Sequence, residues 1–126
     1  MKCPDRAGGR LVFVTPEYNY GYSAAIWNAI DHLYHEWRDK AVGFISSGGA
    51  ADGSRAVQQL KQVVTTLRMV PVAESVNIPL HTTFIHDGRV HANDGMNQAT
   101  DATHDEPRRL DSAFRPLRED ASSAAA

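Results

Sequence analysis

Two short apolar runs, each followed by a helical pattern, constrain the fold of this chain more than any other feature. The runs are Arg10–Thr15 (RLVFVT) and Ala41–Ser46 (AVGFIS), rich in β-branched and aromatic residues. Continuous apolar runs of this length are typical of strands that are buried on both faces of a parallel sheet. A third strand is predicted over Met69–Pro79, interrupted at Pro71, because proline cannot donate to a ladder.

Helical patterns separate these predicted strands. Apolar residues recur at helical spacing over Ala24–Trp37, after Ser23, a residue type favoured as a helix N-cap. A second helical pattern follows Ser54, another candidate cap, and extends to Leu67. Strands that alternate with helices predict βαβ crossovers and therefore an α/β fold with a parallel sheet.

The last third of the chain carries weaker patterns. Within Thr83–Ala92, an Asp-Gly pair between two β-prone runs predicts a small hairpin or a loop. The polar stretch Asn93–His104 predicts a loop, and Asp105–Leu117 predicts a short helix. The final ASSAAA, Ala121–Ala126, is expected to be disordered.

Composition excludes several classes of function. With 126 residues the chain is expected to form one domain, and its net charge of −2 gives no reason to expect a nucleic-acid partner. No apolar run approaches the roughly 20 residues of a membrane span, and the N-terminus lacks the apolar core of a signal peptide. The single cysteine, Cys3, permits no internal disulfide, which favours a cytoplasmic location.

Two loops follow the first two predicted strands. The first loop, Pro16–Tyr22, carries three tyrosines and a polar edge, and the second loop, Ser47–Gly53, is glycine-rich. Ligands of open parallel sheets bind beyond the carboxyl ends of the strands, and free N–H groups before a helix suit an anion or a polar ring edge. Together the loops favour a planar ligand such as a flavin or nucleotide. A tight turn and an aromatic contact to a neighbouring subunit remain the alternatives.

Other kinds of site are not favoured. Four of the six histidines come in pairs, His32 with His35 and His86 with His91, whereas zinc sites need three or four converging ligands. We therefore expect no metal site. No Ser-His-Asp arrangement stands out either, so no catalytic side chain is assigned.

Two segments resemble the NADPH-dependent FMN reductases of the flavodoxin-like fold. They are LVFVTPEYNYGYSAAIWNAIDHLYHEW and KAVGFISSGGAADGSRAVQQLKQVVTTLRMVPV. The PEYN loop, the GG loop, the RAxxQL helix and the closing MVPV occur in the family's order and spacing. The resemblance runs from about Arg10 to Pro79 and continues loosely to Val90. It implies an irregular N-terminus, a partial flavodoxin-like flavin-binding domain and a polar C-terminal extension, over residues 1–9, 10–92 and 93–126.

The resemblance implies a three-layer sandwich that binds FMN and takes electrons from NADPH or NADH for a small-molecule acceptor. Seven positions that match the family's motifs are the implied flavin contacts: Pro16, Glu17, Tyr18, Asn19, Ser47, Gly48 and Gly49. The family forms homodimers or homotetramers, which makes Trp27 and Tyr34 the implied subunit contacts. The cofactor carries the chemistry, so no side-chain acid or base is required.

The chain departs from the family pattern before its first predicted strand. Family members carry two strands, a helix and a Ser/Gly-rich phosphate loop there, whereas nine residues precede Arg10. We therefore expect the fold to lack the first two strands and the phosphate-binding loop, which leaves Leu11–Thr15 at a sheet edge. Asp52 also stands where many members have glycine and could repel an anion.

Two functions stay open at this point. One is an FMN-dependent NAD(P)H oxidoreductase that passes electrons to flavin, quinone, azo, metal or oxygen acceptors. The other is a truncated, catalytically impaired relative that acts only as a dimerisation or binding module. A start site upstream of Met1 would favour the first function, the FMN-dependent oxidoreductase.

Overall fold

The computed structural model describes residues 9–123 of the chain. The strands are β1 (Arg10–Pro16), β2 (Ala41–Gly48), β3 (Val70–Pro71), β4 (Val76–Pro79), β5 (Ile85–His86) and β6 (Arg89–Val90). The helices are α1 (Ala24–Asp31), α2 (Ser54–Thr66) and α3 (Asp94–Ser123), with 3₁₀ turns at His35–Trp37 and His81–Phe84.

The main sheet is parallel and has β2 at its centre. β1 pairs with β2 from Arg10 opposite Ala41 to Pro16 opposite Ser47. β3 and β4 both pair with the other edge of β2, at different heights, so they are two halves of one interrupted strand. The predicted α/β class, the parallel sheet and the interruption at Pro71 are confirmed.

The hydrophobic core lies between the sheet and helices α1 and α2. β2 contributes Val42 and Phe44, and the helices contribute Ile30, Leu60 and Val64, all of them buried. The Phe13 ring extends this core from β1, because its centroid lies 6.3 Å from that of Trp37 and 6.4 Å from that of Phe44.

α3 covers the opposite face of the sheet. Its Thr103 and Pro107 are buried against β2 at Gly43, where a Cβ would lie 2.8 Å from Thr103 Cγ2 and 3.0 Å from the Thr103 carbonyl oxygen. The prediction of a loop over 93–104 is therefore wrong, whereas the helix predicted over 105–117 is present but longer than predicted. One 30-residue helix contains both stretches, because packing against the sheet stabilises a segment whose own pattern is weak.

β1 is buried on one face only, which corrects the expectation of two buried faces. Its Phe13 faces the core, whereas Val12 is 36% exposed and Val14 is 66% exposed on the other face. Within residues 9–123, β1 pairs with β2 alone and so forms one edge of the sheet.

The first helix is shorter than predicted. α1 ends at Asp31 instead of Trp37, and the chain turns back so that the Trp37 indole N–H donates to the Ile30 carbonyl oxygen at 3.0 Å. This bond satisfies a carbonyl at the helix C-terminus and still buries the Trp37 ring. Ser23 occupies the N-cap position, as predicted, without a side-chain capping bond.

The predicted hairpin around Asp87-Gly88 is confirmed by the antiparallel pairing of β5 with β6. The helical state of residues 121–123 contradicts the disorder expected there, and residues 124–126 lie outside the described range. Cys3 and the rest of the first eight residues also lie outside it. Between residues 9 and 123, no helix is long and apolar enough to cross a membrane.

Candidate functional site

The two predicted loops lie side by side at the carboxyl edge of the sheet. Pro16 is opposite Ser47 in the β1–β2 register, and one residue later the Glu17 N–H donates to the Ser47 carbonyl oxygen at 2.7 Å. This backbone bond extends the pairing of the two strands by one residue into the loops. Both loops therefore lie at one edge of the sheet.

The first loop is built on a tight turn. Tyr18 and Gly21 exchange two backbone hydrogen bonds of 2.9 Å. Between them Asn19 (φ 49°) and Tyr20 (φ 70°) both adopt left-handed conformations, as in a type I′ turn. Asparagine tolerates this region, but an aromatic residue there costs on the order of 1 kcal/mol or more. Tyr20 must therefore be held by its surroundings.

α2 holds Tyr20 through two side chains that are one helical turn apart. Gln59 Nε2 donates to the Tyr20 carbonyl oxygen at 3.0 Å, and the Arg55 guanidinium lies 4.0 Å from the Tyr20 ring centroid. A cation over an aromatic face at this distance is attractive. The sequence interpretation missed both residues, although their i, i+4 spacing at the start of the helix after the second loop was the available signal.

Glu17 points towards α2. Its side chain is 8% exposed, its Oε2 accepts the Arg55 backbone N–H at 3.1 Å, and its Oε1 accepts from the Arg55 guanidinium at 3.4 Å. The carboxylate thus satisfies one amide of the helix N-terminus, where negative charge is favoured. Glu17 ties the first loop to the helix that follows the second loop.

Asp52 satisfies a neighbouring amide of the same helix. Its Oδ1 accepts the Ser54 backbone N–H at 3.1 Å, while Gly53 (φ 87°) takes the N-cap position that Ser54 was expected to fill. The prediction of free N–H groups before α2 is therefore wrong for Ser54 and Arg55. Carboxylates of this chain already bind both of these N–H groups.

The glycines of the second loop have different tasks. A Cβ at Gly48 would lie 2.7 Å from the Gly53 nitrogen, and one at Gly53 would lie 2.6 Å from Ser46 Cβ, so these two glycines let the loop fold onto itself. A Cβ at Gly49 would have none of the described atoms within 4 Å. Gly49 therefore leaves open space beside the loop.

The residue after β4, Leu80, contacts the second loop. The Leu80 N–H donates to the Gly49 carbonyl oxygen at 3.2 Å. Below it, the buried Ser46 hydroxyl donates to Asn77 Oδ1 at 2.9 Å, which ties β2 to β4. The backbone of the second loop is thus supported from both neighbouring strands.

The seven predicted flavin contacts divide by environment. Tyr18, Asn19 and Gly49 are exposed, Pro16 and Ser47 are half-buried at the strand ends, Gly48 is buried, and the Glu17 side chain is engaged with α2. Their role in binding a flavin stays a prediction. Across residues 9–123, no group of three or more His, Cys, Asp or Glu side chains is placed to hold a metal ion.

The family model for NADPH-dependent FMN reductase matches residues 8–83, more than half of the chain. An NAD(P)H-dependent FMN reductase of Saccharomyces cerevisiae is 48% identical over 73 residues, which cover 57% of this chain and 38% of that protein. Its Schizosaccharomyces pombe counterpart of the same description is 47% identical over 71 residues, 55% of this chain and 35% of that protein.

A probable NADPH:quinone oxidoreductase of Oryza sativa subsp. japonica is 36% identical over 61 residues, 46% of this chain and 30% of that protein. The chain thus matches between 30% and 38% of the length of these curated relatives. The family model covers both loops, β1 to β4 and the helices between them. The chain therefore belongs to the NADPH-dependent FMN reductase family.

Proposed function

We propose that the protein is an FMN-dependent NAD(P)H oxidoreductase whose flavin ring lies against the first and second loops. The observation that carries the proposal is the pair of loops at adjacent strand ends, which places an exposed tyrosine at the same sheet edge as the open backbone of Gly49. Family membership supports the same cofactor. FMN, when bound, would supply the chemistry by taking electrons from NADPH or NADH and passing them to a small-molecule acceptor.

The residues of the two loops would bind and orient the flavin. Tyr18, 63% exposed, offers a flat wall for a ring, and Asn19 offers a polar edge beside it. Gly49 admits close approach of a ring to the backbone. Glu17 shapes the first loop through α2, so its contribution to the flavin is indirect.

The described residues at this site offer better contacts to the ring of FMN than to its phosphate. The Ser54 and Arg55 amides, which would otherwise attract an anion, are bound by Asp52 and Glu17. Asp52 also places negative charge at the start of α2, whereas the charge of Glu17 is paired with the Arg55 guanidinium. We therefore expect this chain to bind riboflavin and FMN with similar affinity, since the phosphate gains little at this helix.

The assembly and location are part of the proposal. Trp27 and Tyr34 are 53% and 55% exposed, which suits the subunit contacts of a homodimer or homotetramer. A cytoplasmic location agrees with a single cysteine in the chain.

The test is a titration of the purified chain with FMN and with riboflavin, followed by flavin fluorescence. We expect both ligands to bind, and the loaded protein to oxidise NADPH in the presence of a quinone.

Gly49→Ala should weaken flavin binding about tenfold or more, because its methyl group fills the open space; that factor corresponds to roughly 1.4 kcal/mol. Gly95→Ala, in the first turn of α3, is the matched control and should bind as the unchanged chain does.

Two results would contradict the proposal. A folded chain that binds neither flavin at millimolar concentration would favour the alternative, a catalytically impaired relative that serves as a dimerisation or binding module. Equal binding by Gly49→Ala and the unchanged chain would place the flavin elsewhere.

A further inference from the structure

The first loop adopts a turn that its own residues do not favour. Two-residue turns with both central residues left-handed prefer Asn-Gly, because glycine has no Cβ to oppose that conformation. Asn19 suits the first central position, but the second is occupied by Tyr20, at φ 70°. Two backbone hydrogen bonds between Tyr18 and Gly21 close the turn around this strained residue. The loop therefore needs contacts from outside itself to keep this conformation.

The side-chain amide of Gln59 supplies one such contact. Its Nε2 donates to the Tyr20 carbonyl oxygen at 3.0 Å, from a position 39 residues further along the chain. A Cβ at Gly21 would lie 3.1 Å from Gln59 Oε1, so the absence of a side chain at Gly21 lets the amide lie against the turn. One amide group thus contacts both of the last two residues of the turn.

Arg55 contacts the ring of the same tyrosine. Its guanidinium lies 4.0 Å from the centre of the Tyr20 ring, while Glu17 Oε1 accepts from that guanidinium at 3.4 Å. Glu17 Oε2 also accepts the Arg55 backbone N–H at 3.1 Å, so the arginine is bound at both ends. The ring and the carbonyl oxygen of one strained residue are therefore held by two side chains of one helix.

The position of α2 does not depend on these contacts. Its apolar face is buried in the core through Val57, Leu60 and Val64, whereas Arg55 and Gln59 lie one turn apart on its exposed face. Loss of the Gln59 amide should therefore release the turn and leave the helix in place. The cost of a left-handed aromatic residue and the net value of one neutral hydrogen bond are of the same order, so the released turn should be only partly populated.

We propose that Gln59 is a positioning residue of the flavin site: its amide keeps the first loop in the conformation that presents Tyr18 and Asn19 to the ring. This role rests on the proposed function, since it concerns the same two ring contacts. A ligand that binds one conformation binds more weakly in proportion as that conformation becomes less populated. A turn populated about one tenth of the time would therefore weaken flavin binding about tenfold, without any contact between Gln59 and the ligand.

Flavin titration of Gln59→Ala against Gln58→Ala tests this role. Both glutamines are exposed on α2, and Gln58 lies about 100° away around the helix. We expect Gln59→Ala to bind riboflavin and FMN about tenfold more weakly than the unchanged chain does, and Gln58→Ala to bind them as the unchanged chain does. Circular dichroism confirms the fold of each variant. Equal flavin affinities for the two variants would overturn the proposal.

Tyr20→Gly separates positioning of the turn from direct contact with the flavin. Glycine adopts the left-handed conformation without strain and completes the favoured Asn-Gly pair, so the turn should no longer depend on α2. In a chain that carries Tyr20→Gly, the further change Gln59→Ala should alter flavin affinity by less than about twofold. A loss as large as that seen with Tyr20 present would mean that Gln59 touches the flavin directly, and would overturn the positioning role.

Hydrogen exchange of the free protein measures the turn without a ligand. The Tyr18 and Gly21 amides, which are bonded in the turn, should exchange about tenfold faster or more in Gln59→Ala than in the unchanged chain. The amide of Phe44, in the buried central strand, should exchange equally slowly in both. Unchanged exchange at Tyr18 and Gly21 would overturn the proposal whatever the flavin affinity. An unchanged chain that binds no flavin would instead contradict the proposed function, and this role with it.

Discussion

Tyr22 shows at the scale of one residue how burial can leave a group poorly satisfied. Its ring stacks on Trp27, with the centroids 5.6 Å apart, and its buried hydroxyl has no hydrogen-bond partner among the described residues. Burial, and secondly the negative charge of Asp31, raises the pKa of the Tyr22 hydroxyl above its ordinary value. The ring of Tyr22 therefore stabilises the fold by packing, whereas its buried hydroxyl slightly destabilises it.

Tyr22→Phe should raise the free energy of unfolding at pH 7 by about 1 kcal/mol, because it removes a buried hydroxyl that lacks a partner. In the unchanged chain, the raised pKa means that the unfolded state loses the Tyr22 proton first. The stabilisation linked to this proton is complete below the unfolded value of 10.0 and is lost as pH rises through the folded value. The advantage of Tyr22→Phe should therefore grow above pH 10.

Urea unfolding of both proteins at pH 7 and at about pH 10.5 measures this difference, since the two proteins differ at position 22 alone. Tyr34→Phe, at a ring that is 55% exposed, is the control and should change little at pH 7. A difference between Tyr22→Phe and the unchanged chain that shrinks with rising pH would contradict the assignment.

The contact between α3 and β2 depends on a glycine, Gly43, which has no side chain to separate the helix from the strand. Gly43 lets the helix backbone approach the strand at Thr103 and Pro107. A polar segment that would otherwise remain a marginal helix is thereby docked, because tertiary packing supplies most of the stability of a helix. The element that the sequence predicted least well is held by a residue that lies on another element.

Gly43→Ala should lower the free energy of unfolding by about 2 kcal/mol, because the new methyl group meets the Thr103 backbone as well as its side chain. Gly95→Ala, inside α3 itself, should raise it by up to about 1 kcal/mol through helix propensity. Urea denaturation followed by circular dichroism measures both changes. If the two variants were equally stable, α3 would not pack closely at Gly43.

At the scale of the molecule, α3 forms the third layer of the described fold. It contacts β1, β2 and β4, whereas α1 and α2 cover the opposite face. A sheet with both faces covered is the usual state of parallel strands. The segment interpreted as a polar extension therefore completes the sandwich.

Deletion of residues 94–126 should abolish cooperative unfolding, because it uncovers one whole face of the sheet. We expect the shortened chain to bind a hydrophobic dye strongly and to lack a sharp urea transition. Deletion of residues 124–126 alone is the control and should unfold as the full chain does. A sharp transition for the longer deletion, at the full chain's midpoint, would show that two layers suffice.

The sequence by itself determined the parallel strands, α2 and the two loops, because hydrophobic periodicity and turn residues act over a few neighbours. It also placed Glu17 and Gly49 in these loops. It did not show that Glu17 binds a backbone amide 38 residues away, nor that Gln59 and Arg55 hold Tyr20 in a left-handed conformation. Those contacts, the single buried face of β1 and the length of α3 were decided only by the tertiary structure, since each depends on residues that are distant in the chain and meet after the sheet has formed.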